Sequence, residues 1–353
     1  MGEILMAVLD NNVRERAAFL GQEPGRLREF RGQRLYDALN VLGLSHEQFF
    51  RAMGTNLDDY CAQEYGVDLR RITVERFFQS DPNAKWLFPD IVREAVVAGL
   101  KRKPAFPELI IRDEKIAGNT YDVQYVTEDA DEEELRTVSE GAAIPESQIA
   151  YGDRIVKLDK KGRGIIASYE AIRRMSVDAL RVHLARMGER LGRNLDARLA
   201  SVLVNGDASG SGTAAVVVNT TAQNVWTYAD IVRGFVRLAL DHYFTPTHMI
   251  ANAALTESIL NLAEFQDAAL FDFAKTGNLP TPMGVKLVPM VDQPANRLTI
   301  LDSAYAVAKL TEQDLLVESD KLINQQWDRT YITVVTDFAI IYDRARVVVR
   351  SDW

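Results

Sequence analysis

The sequence predicts an α+β protein built around one long helix, and three observations carry that reading. From Ser176 to Val204, Leu180, Leu184, Met187, Leu191, Leu195, Leu199 and Val202 recur at spacings of three and four, the apolar stripe of a helix packed along one side. Roughly 28 residues at about 1.5 Å each make a strut on the order of 40 Å. The last stretch, with Tyr331–Val335, Phe338–Tyr342 and Val347–Arg350, alternates as strands do. Between these, short helical and strand-like runs are separated by long excursions, which fits α+β better than a doubly wound sheet.

Residues 1–80 read as helical, with breaks at Gly21–Gly25, Gly43, Gly54 and Gly66. Their most basic patch is Arg26, Arg28, Arg31 and Arg34. It is either a surface facing DNA or a solvated helix face balanced by Glu23, Glu29 and Asp37. Residues 42–50 hold a weak helix-turn-helix pattern, which Ser45 capping a plain helical hairpin also explains. Asp81-Pro82-Asn83 marks a turn, a helix enters after Pro89 and runs to Leu100, and Lys101–Pro104 reads as a linker. Tyr121–Val126 alternates as a strand. Glu128–Glu134 carries six carboxylates in seven residues; the spacing is not that of a calcium loop, and a solvated, self-repelling loop is expected. Ile149–Ile166 reads as two strands about a hairpin-like turn at Asp159–Gly162, an arm that projects and lies on a neighbour.

Ser176 is placed as N-cap of the long helix, with Asp178 in its first turn, and Asn205-Gly206 as its end. Arg181, Arg186, Arg190 and Arg193 fall mainly off the stripe and are expected to be solvated or to meet a partner. Thr227 and Asp230 predict a capped helix buried through Ile231, Phe235, Leu238 and Ala239. Strands are expected at Thr247–Ala251 and Gly284–Pro289, with Asn252 capping a helix to Leu262, and Leu298–Leu301 and Ala304–Leu310 continue the mixed α+β pattern.

Composition bounds the function. The net charge is −9, which argues against a dedicated nucleic-acid binder. No run approaches the roughly 18 apolar residues of a membrane helix, and Met1–Leu9 lacks the basic flank and cleavage site of a signal peptide. Cys61 is the one cysteine, so no intrachain disulfide forms, and a small buried apolar role is expected for it. The glycine-rich Asn205–Gly212 lacks the Gly-Lys-Ser/Thr of a phosphate loop. His46, His183, His242 and His248 are scattered, with no zinc spacing, and Asp241-His242 has no serine elbow beside it. No enzymatic role, cofactor or metal is predicted.

The order of parts resembles the major capsid proteins of tailed bacteriophages, the Hong Kong 97 type of shell protein. Glu140-Gly141-Ala142 and Pro145-Glu146-Ser147 resemble a run in that family's extended E-loop, Ser176–Val204 its spine helix, and Asn205-Gly206-Asp207 the loop after it. Met249–Leu262 resembles a strand followed by an asparagine-started helix, Met283–Pro289 a G-x-x-x-V-P strand, and Trp327–Tyr342 a returning strand pair. Six weak motifs in order over about 270 residues make the resemblance. It implies a helical N-terminal segment (1–80, arm or scaffold-like), an N-arm (81–114), an E-loop (115–155) and a peripheral domain (156–226, spine helix 176–204). An axial domain (227–320) and returning peripheral strands (321–353) complete it.

The resemblance implies a structural protein that self-assembles into pentamers and hexamers of an icosahedral head around double-stranded DNA. Its implied partners are its own copies, the packaged DNA by non-specific contact, and portal, scaffolding or decoration proteins, with no membrane. Its implied place is the virion capsid, assembled in the host cytoplasm. Expected intersubunit contacts are Glu140, Pro145, Glu146 and Arg163. One branch of the family cross-links subunits through a lysine, an asparagine and a glutamate, and the matching positions here are Ile144, Asp328 and Val335. No such bond is therefore expected. Rival readings are an encapsulin-type shell holding enzyme cargo, and a DNA-binding protein using residues 35–75.

Overall fold

The computed structural model describes residues 35, 39, 49–50, 55–80, 87–102, 104–124, 137–138, 140, 151–168, 171, 174–209, 214–266, 284–322 and 327–353. In chain order the helices are α1 (Leu57–Tyr65), α2 (Val74–Ser80), α3 (Phe88–Leu100), α4 (Phe106–Leu109), α5 (Val177–Asn205), α6 (Tyr228–Val236), α7 (Ala253–Leu260) and α8 (Ala263–Gln266). The strands are β1 (Asp113–Lys115), β2 (Thr120–Gln124), β3 (Tyr151–Lys157), β4 (Lys160–Ser168), β5 (Val216–Asn219), β6 (His248–Ala251), β7 (Lys286–Pro289), β8 (Arg297–Leu301), β9 (Val307–Leu322), β10 (Trp327–Ile340) and β11 (Arg346–Arg350). The chain divides into two units. One holds residues 1–102, 162–191 and 315–333; the other holds 103–161, 192–314 and 334–353.

The first unit is mostly helical. Asn56 caps α1 by accepting from the Asp59 amide at 2.7 Å, and Gly66, at φ 65°, ends it in the left-handed conformation glycine adopts freely. Pro89 sits in the first turn of α3, so the helix begins one residue before the proline rather than after it. Ile91 faces one buried cluster with Leu35, Phe50, Tyr60, Phe77 and Val177. Val92, Ala95 and Val96 face another with Leu184 and Ile332. Gly99 and Gly188 let α3 and the first half of α5 cross closely: a Cβ on Gly99 would lie 1.9 Å from the Ala185 carbonyl oxygen, and one on Gly188 2.0 Å from that of Val96.

The long helix follows its stripe. Ser176 Oγ accepts from the Ala179 amide at 3.1 Å, and the helix runs 29 residues to Asn205, one residue later at each end than predicted. Leu184, Leu195, Leu199 and Val202 are buried, but so are Ala200 and Leu203, so its last turns are enclosed on more than one face. Arg181 departs from the expectation of a solvated or partner-facing side chain: it pairs with Asp58 at 2.6 Å and Glu94 at 3.8 Å inside its own unit.

The second unit centres on a five-stranded sheet in the order β5-β11-β8-β6-β7. β11 runs parallel to β5 and antiparallel to β8, while β6 is antiparallel to β8 and parallel to β7. Helices α6 and α7 cover one face through Ile231, Leu255 and Ile259, joined by Leu238 of the π-helical turn Arg237–Asp241 that continues α6. Thr227 and Asp230 form the predicted reciprocal cap of α6, and Asn252 caps α7 by accepting from Leu255 at 2.8 Å. Gly234 brings α6 against the sheet, since a Cβ there would meet Val349 at 2.4 Å.

A four-stranded sheet, in the order β1-β9-β10-β4, corrects the expected hairpin. β3 and β4 are consecutive in sequence but join different sheets: β3 pairs antiparallel with β2, and β4 lies beside β10. The turn is only Leu158-Asp159, too short and too well packed for the predicted Asp159–Gly162 loop, and Leu158 is buried. The root of the arm does not project either. Val123 and Val156 bury their side chains with Leu310, Val335 and Ala339, so the ladder has an apolar seat in its own unit. The two strands predicted at Tyr331–Val335 and Phe338–Tyr342 are one 14-residue strand, β10. The run Ala304–Leu310, which carried no element of its own in the sequence, leads into β9, 16 residues long.

Cys61 is fully buried, as expected, and burial, with Asp58 adding to it and Arg181 opposing, pushes its thiol up to about 12. A disulfide reagent at pH 8 is expected to leave the native thiol unlabelled and to label one per chain in denaturant. Fast stoichiometric labelling of the native protein would show that its cover opens.

Candidate functional site

Two kinds of feature stand out from the packed body: buried ion pairs that fix the strands, and apolar side chains that face outward. The first kind was missed in the sequence. Arg198 on α5 holds Asp337 on β10 through two hydrogen bonds of 2.8 and 2.9 Å, and Asp337 also accepts from the Phe338 amide at 2.9 Å. Asp337 is wholly buried, so the guanidinium and the amide replace its water shell. The carboxylate in turn holds the Arg198 guanidinium further toward its charged form.

Arg154, on β3, donates to Asp207 Oδ2 at 3.0 Å and to the Ile340 carbonyl at 3.1 Å. Asp207 follows the end of α5 and also accepts from the Ile340 amide at 3.1 Å and from Ser209. Burial pushes the Asp207 carboxyl up, but the hydrogen bonds from Ser209 and Ile340 and the Arg154 charge outweigh it and hold it below the usual range. The root of the β2–β3 ladder is thus tied to the end of the long helix and to β10. Nearby, Arg346 donates to the Leu203 carbonyl at 2.8 Å, and burial lowers its guanidinium to about 10. Asp196 caps α4, accepting from the amides of Ala105 and Phe106 at 3.1 and 2.8 Å.

The sequence did carry one signal for these pairs. Asp337 interrupts the apolar run Ile332–Ile341, and Arg346 precedes three valines. A charge inside a buried strand must be paired.

The second kind of feature is outward apolar surface. Ile155, Ile166, Val182, Val217, Leu240, Tyr243 and Val291 are all at least half exposed. Of the residues predicted to make contacts, Glu140 and Arg163 are each exposed, while Pro145 and Glu146 lie outside the described residues. Arg26, Arg28, Arg31 and Arg34, the acidic run 128–134 and Ile144 lie outside them as well. Asp328 falls on β10, with its side chain outside the described set, and Val335 is buried beside Leu310 and Ala339. An apolar side chain in that packing supplies no base. Among the described residues, no group of three or more His, Cys, Asp or Glu side chains is placed to hold a metal ion. No helix there is long and apolar enough to cross a membrane.

A model of the phage capsid protein family matches residues 151–351, more than half of the chain. The chain belongs to the phage capsid protein family. The match starts at β3 and ends just past β11, so it takes in the long helix and the five-stranded sheet. No relative was found among curated proteins. Solved structures share the fold at low identity. A capsid chain of the empty GTA particle aligns with a TM-score of 0.54 at 14% identity, covering 70% of this chain and 89% of that one. A chain of Mycobacterium phage Che8 gives 0.50 at 15%, covering 70% and 91%. A capsid chain of Cyanophage P-SCSP1u gives 0.50 at 12%, covering 70% and 88%. The fold is that of the Hong Kong 97-type capsid subunit, as the order of motifs implied. The helices before residue 151 lie outside the family match, although α3 packs directly on the long helix that lies inside it.

Proposed function

We propose that this capsid protein is the major shell subunit of a tailed phage, closing as pentamers and hexamers into an icosahedral head around double-stranded DNA. The family match over residues 151–351 carries this reading. In it, residues 115–155 are the E-loop lying on an adjacent subunit, with Glu140, Pro145, Glu146 and Arg163 at the contact. Residues 227–320 are the axial domain around the capsomer axis, and residues 156–226 with 321–353 are the peripheral domain. The ion pairs of Arg154 and Arg198 suit such a role, because a subunit that carries load between neighbours needs a stiff frame. Many repeated weak contacts then sum to a stable particle while single errors can still dissociate. Packaged DNA is met non-specifically, with Arg26, Arg28, Arg31 and Arg34 as the basic candidates, and portal, scaffolding or decoration proteins complete the head. Assembly takes place in the host cytoplasm.

Stabilisation by an isopeptide bond is not part of this reading, because Ile144, Asp328 and Val335 stand where the reacting groups would be. The test is electron microscopy of the untagged protein, alone and with its co-expressed head proteins, followed by denaturing, reducing electrophoresis. Closed shells or ring-shaped capsomers that dissolve to one band near 39.6 kDa are expected. A discrete monomer under every condition would overturn the shell reading, and a ladder of covalent multimers would overturn the absence of a cross-link.

A further inference from the structure

We propose that Arg297 and Arg350, with Asn219 beside them, bind a phosphate group at one end of the five-stranded sheet. Packaged DNA as the source of that phosphate rests on the shell reading above; the binding of phosphate itself does not.

The sheet register brings the three residues together. Arg350 ends β11, where it is the direct partner of Arg297 on antiparallel β8 and of Asn219 on parallel β5. Partners in register share a face of the sheet, so one guanidinium stands against the other, with Asn219 next in the row. Like charges directly opposite each other destabilise a sheet. Among the described residues one carboxylate answers them. Asp352 Oδ1 accepts from Arg350 Nε at 3.0 Å and also from Arg297 Nη1. The pair therefore keeps one net positive charge. Burial, and then the Arg350 charge, hold the Arg297 guanidinium below its usual range.

Asp352 cannot turn to take more, because its chain is pinned on both sides. The Ser351 amide donates to the Asn296 carbonyl at 3.2 Å, and the Ser351 carbonyl accepts from the Asn224 amide at 2.8 Å. On the other side the Trp353 indole donates to Thr220 Oγ1 at 3.3 Å. Arg350 Nη2 reaches the Asp352 carbonyl at 2.9 Å. Arg350 Nη1, Arg297 Nε and Nη2 and the Asn219 side-chain amide then have no protein acceptor among the described residues. The Arg350 side chain is 38% exposed, so these donors can be reached from solvent.

The ligand follows from the donors. They come from three adjacent strands and converge beside a carboxylate that already serves both arginines. A tetrahedral phosphate carries more acceptor oxygens than a second carboxylate would, and guanidinium forks bind it with paired hydrogen bonds. In a chain of net charge −9, a local surplus of positive charge is what an approaching anion meets.

The test uses the full chain, melted in inorganic phosphate and in chloride of equal ionic strength, and titrated onto a random-sequence DNA duplex by fluorescence anisotropy. Phosphate is expected to raise the wild-type melting temperature above that in chloride. The double variant Arg297→Gln, Arg350→Gln is expected to melt normally in chloride, since a repelling pair is gone, and to lose the rise in phosphate. It should also bind the duplex about tenfold or more weaker, with a shallower salt dependence. Asp352→Asn is expected to melt lower in chloride and yet to gain more from phosphate, a pair of opposite signs that a merely structural carboxylate would not give. Weakened duplex binding in the double variant assigns the site to DNA, and loss of the phosphate response alone assigns it to free phosphate. If neither ligand distinguishes the double variant from the wild type, the site is overturned. A wild type that shows these responses but never assembles overturns the shell reading and leaves the phosphate site standing.

Discussion

Gly188→Ala and Gly99→Ala are each expected to destabilise the protein by about 3 kcal/mol or more, at or above the upper end for overpacking. The sign is the informative part. Both glycines lie inside helices, where helix propensity alone favours alanine by about 0.5–1 kcal/mol. Here the new Cβ atoms would sit 2.0 and 1.9 Å from backbone carbonyl oxygens of the facing helix, far inside contact distance. Backbone cannot rotate away as a side chain does, so α3 and α5 must separate and the cluster of Val92, Val96 and Leu184 must open. Once one alanine has forced the helices apart, the second meets less resistance, so the double variant should cost less than the sum of the two. Gly66→Ala is the contrasting control: it meets no atom within 4 Å and bears only the cost of φ 65°, about 1 kcal/mol. Urea unfolding of the four variants beside the wild type tests the set. A Gly188→Ala protein as stable as the wild type would mean the helices do not cross this closely.

Local chemistry was legible in the sequence wherever the cause lies within a few residues. The stripe of α5, the caps at Asn252, Ser176 and Thr227 and the burial of Cys61 are all of this kind. What failed depended on distant partners. Ile149–Ile166 looked like a hairpin because its two strands are adjacent in sequence, yet β4 finds its neighbour in β10, more than 150 residues away. β10 looked broken because Thr336-Asp337 interrupts its apolar pattern, and only Arg198 explains why the aspartate can be buried there. Arg181 looked like a solvated charge because its acceptors, Asp58 and Glu94, come from other helices. The crossing glycines carried no pattern at all, since each makes sense only against the other helix.

Removing residues 1–80 is expected to abolish soluble, folded protein, although the family match begins only at residue 151. The described part of that segment supplies most of one buried cluster, including Leu35, Phe50, Tyr60, Leu69 and Phe77, and leaves only Leu87, Ile91 and Val177 behind. It also holds the start of α5. The Val177 amide donates to the Ile72 carbonyl at 3.1 Å, the Val74 amide donates to the Met175 carbonyl at 3.0 Å, and Asp58 pairs with Arg181. A segment meant for removal during maturation must leave the body's core closed behind it. This one would strip Ile91, Val177 and Leu180 and take from the half-buried Arg181 its nearer partner, Asp58. A single Phe77→Ala change, at a fully buried ring, should already cost about 3–5 kcal/mol. Residues 55–80 are therefore expected in the assembled particle, which the intact subunit mass would record. A truncated chain that melts cooperatively as a soluble species, or particles whose subunit starts after residue 80, would show that the cluster is dispensable and that the segment behaves as a removable scaffold.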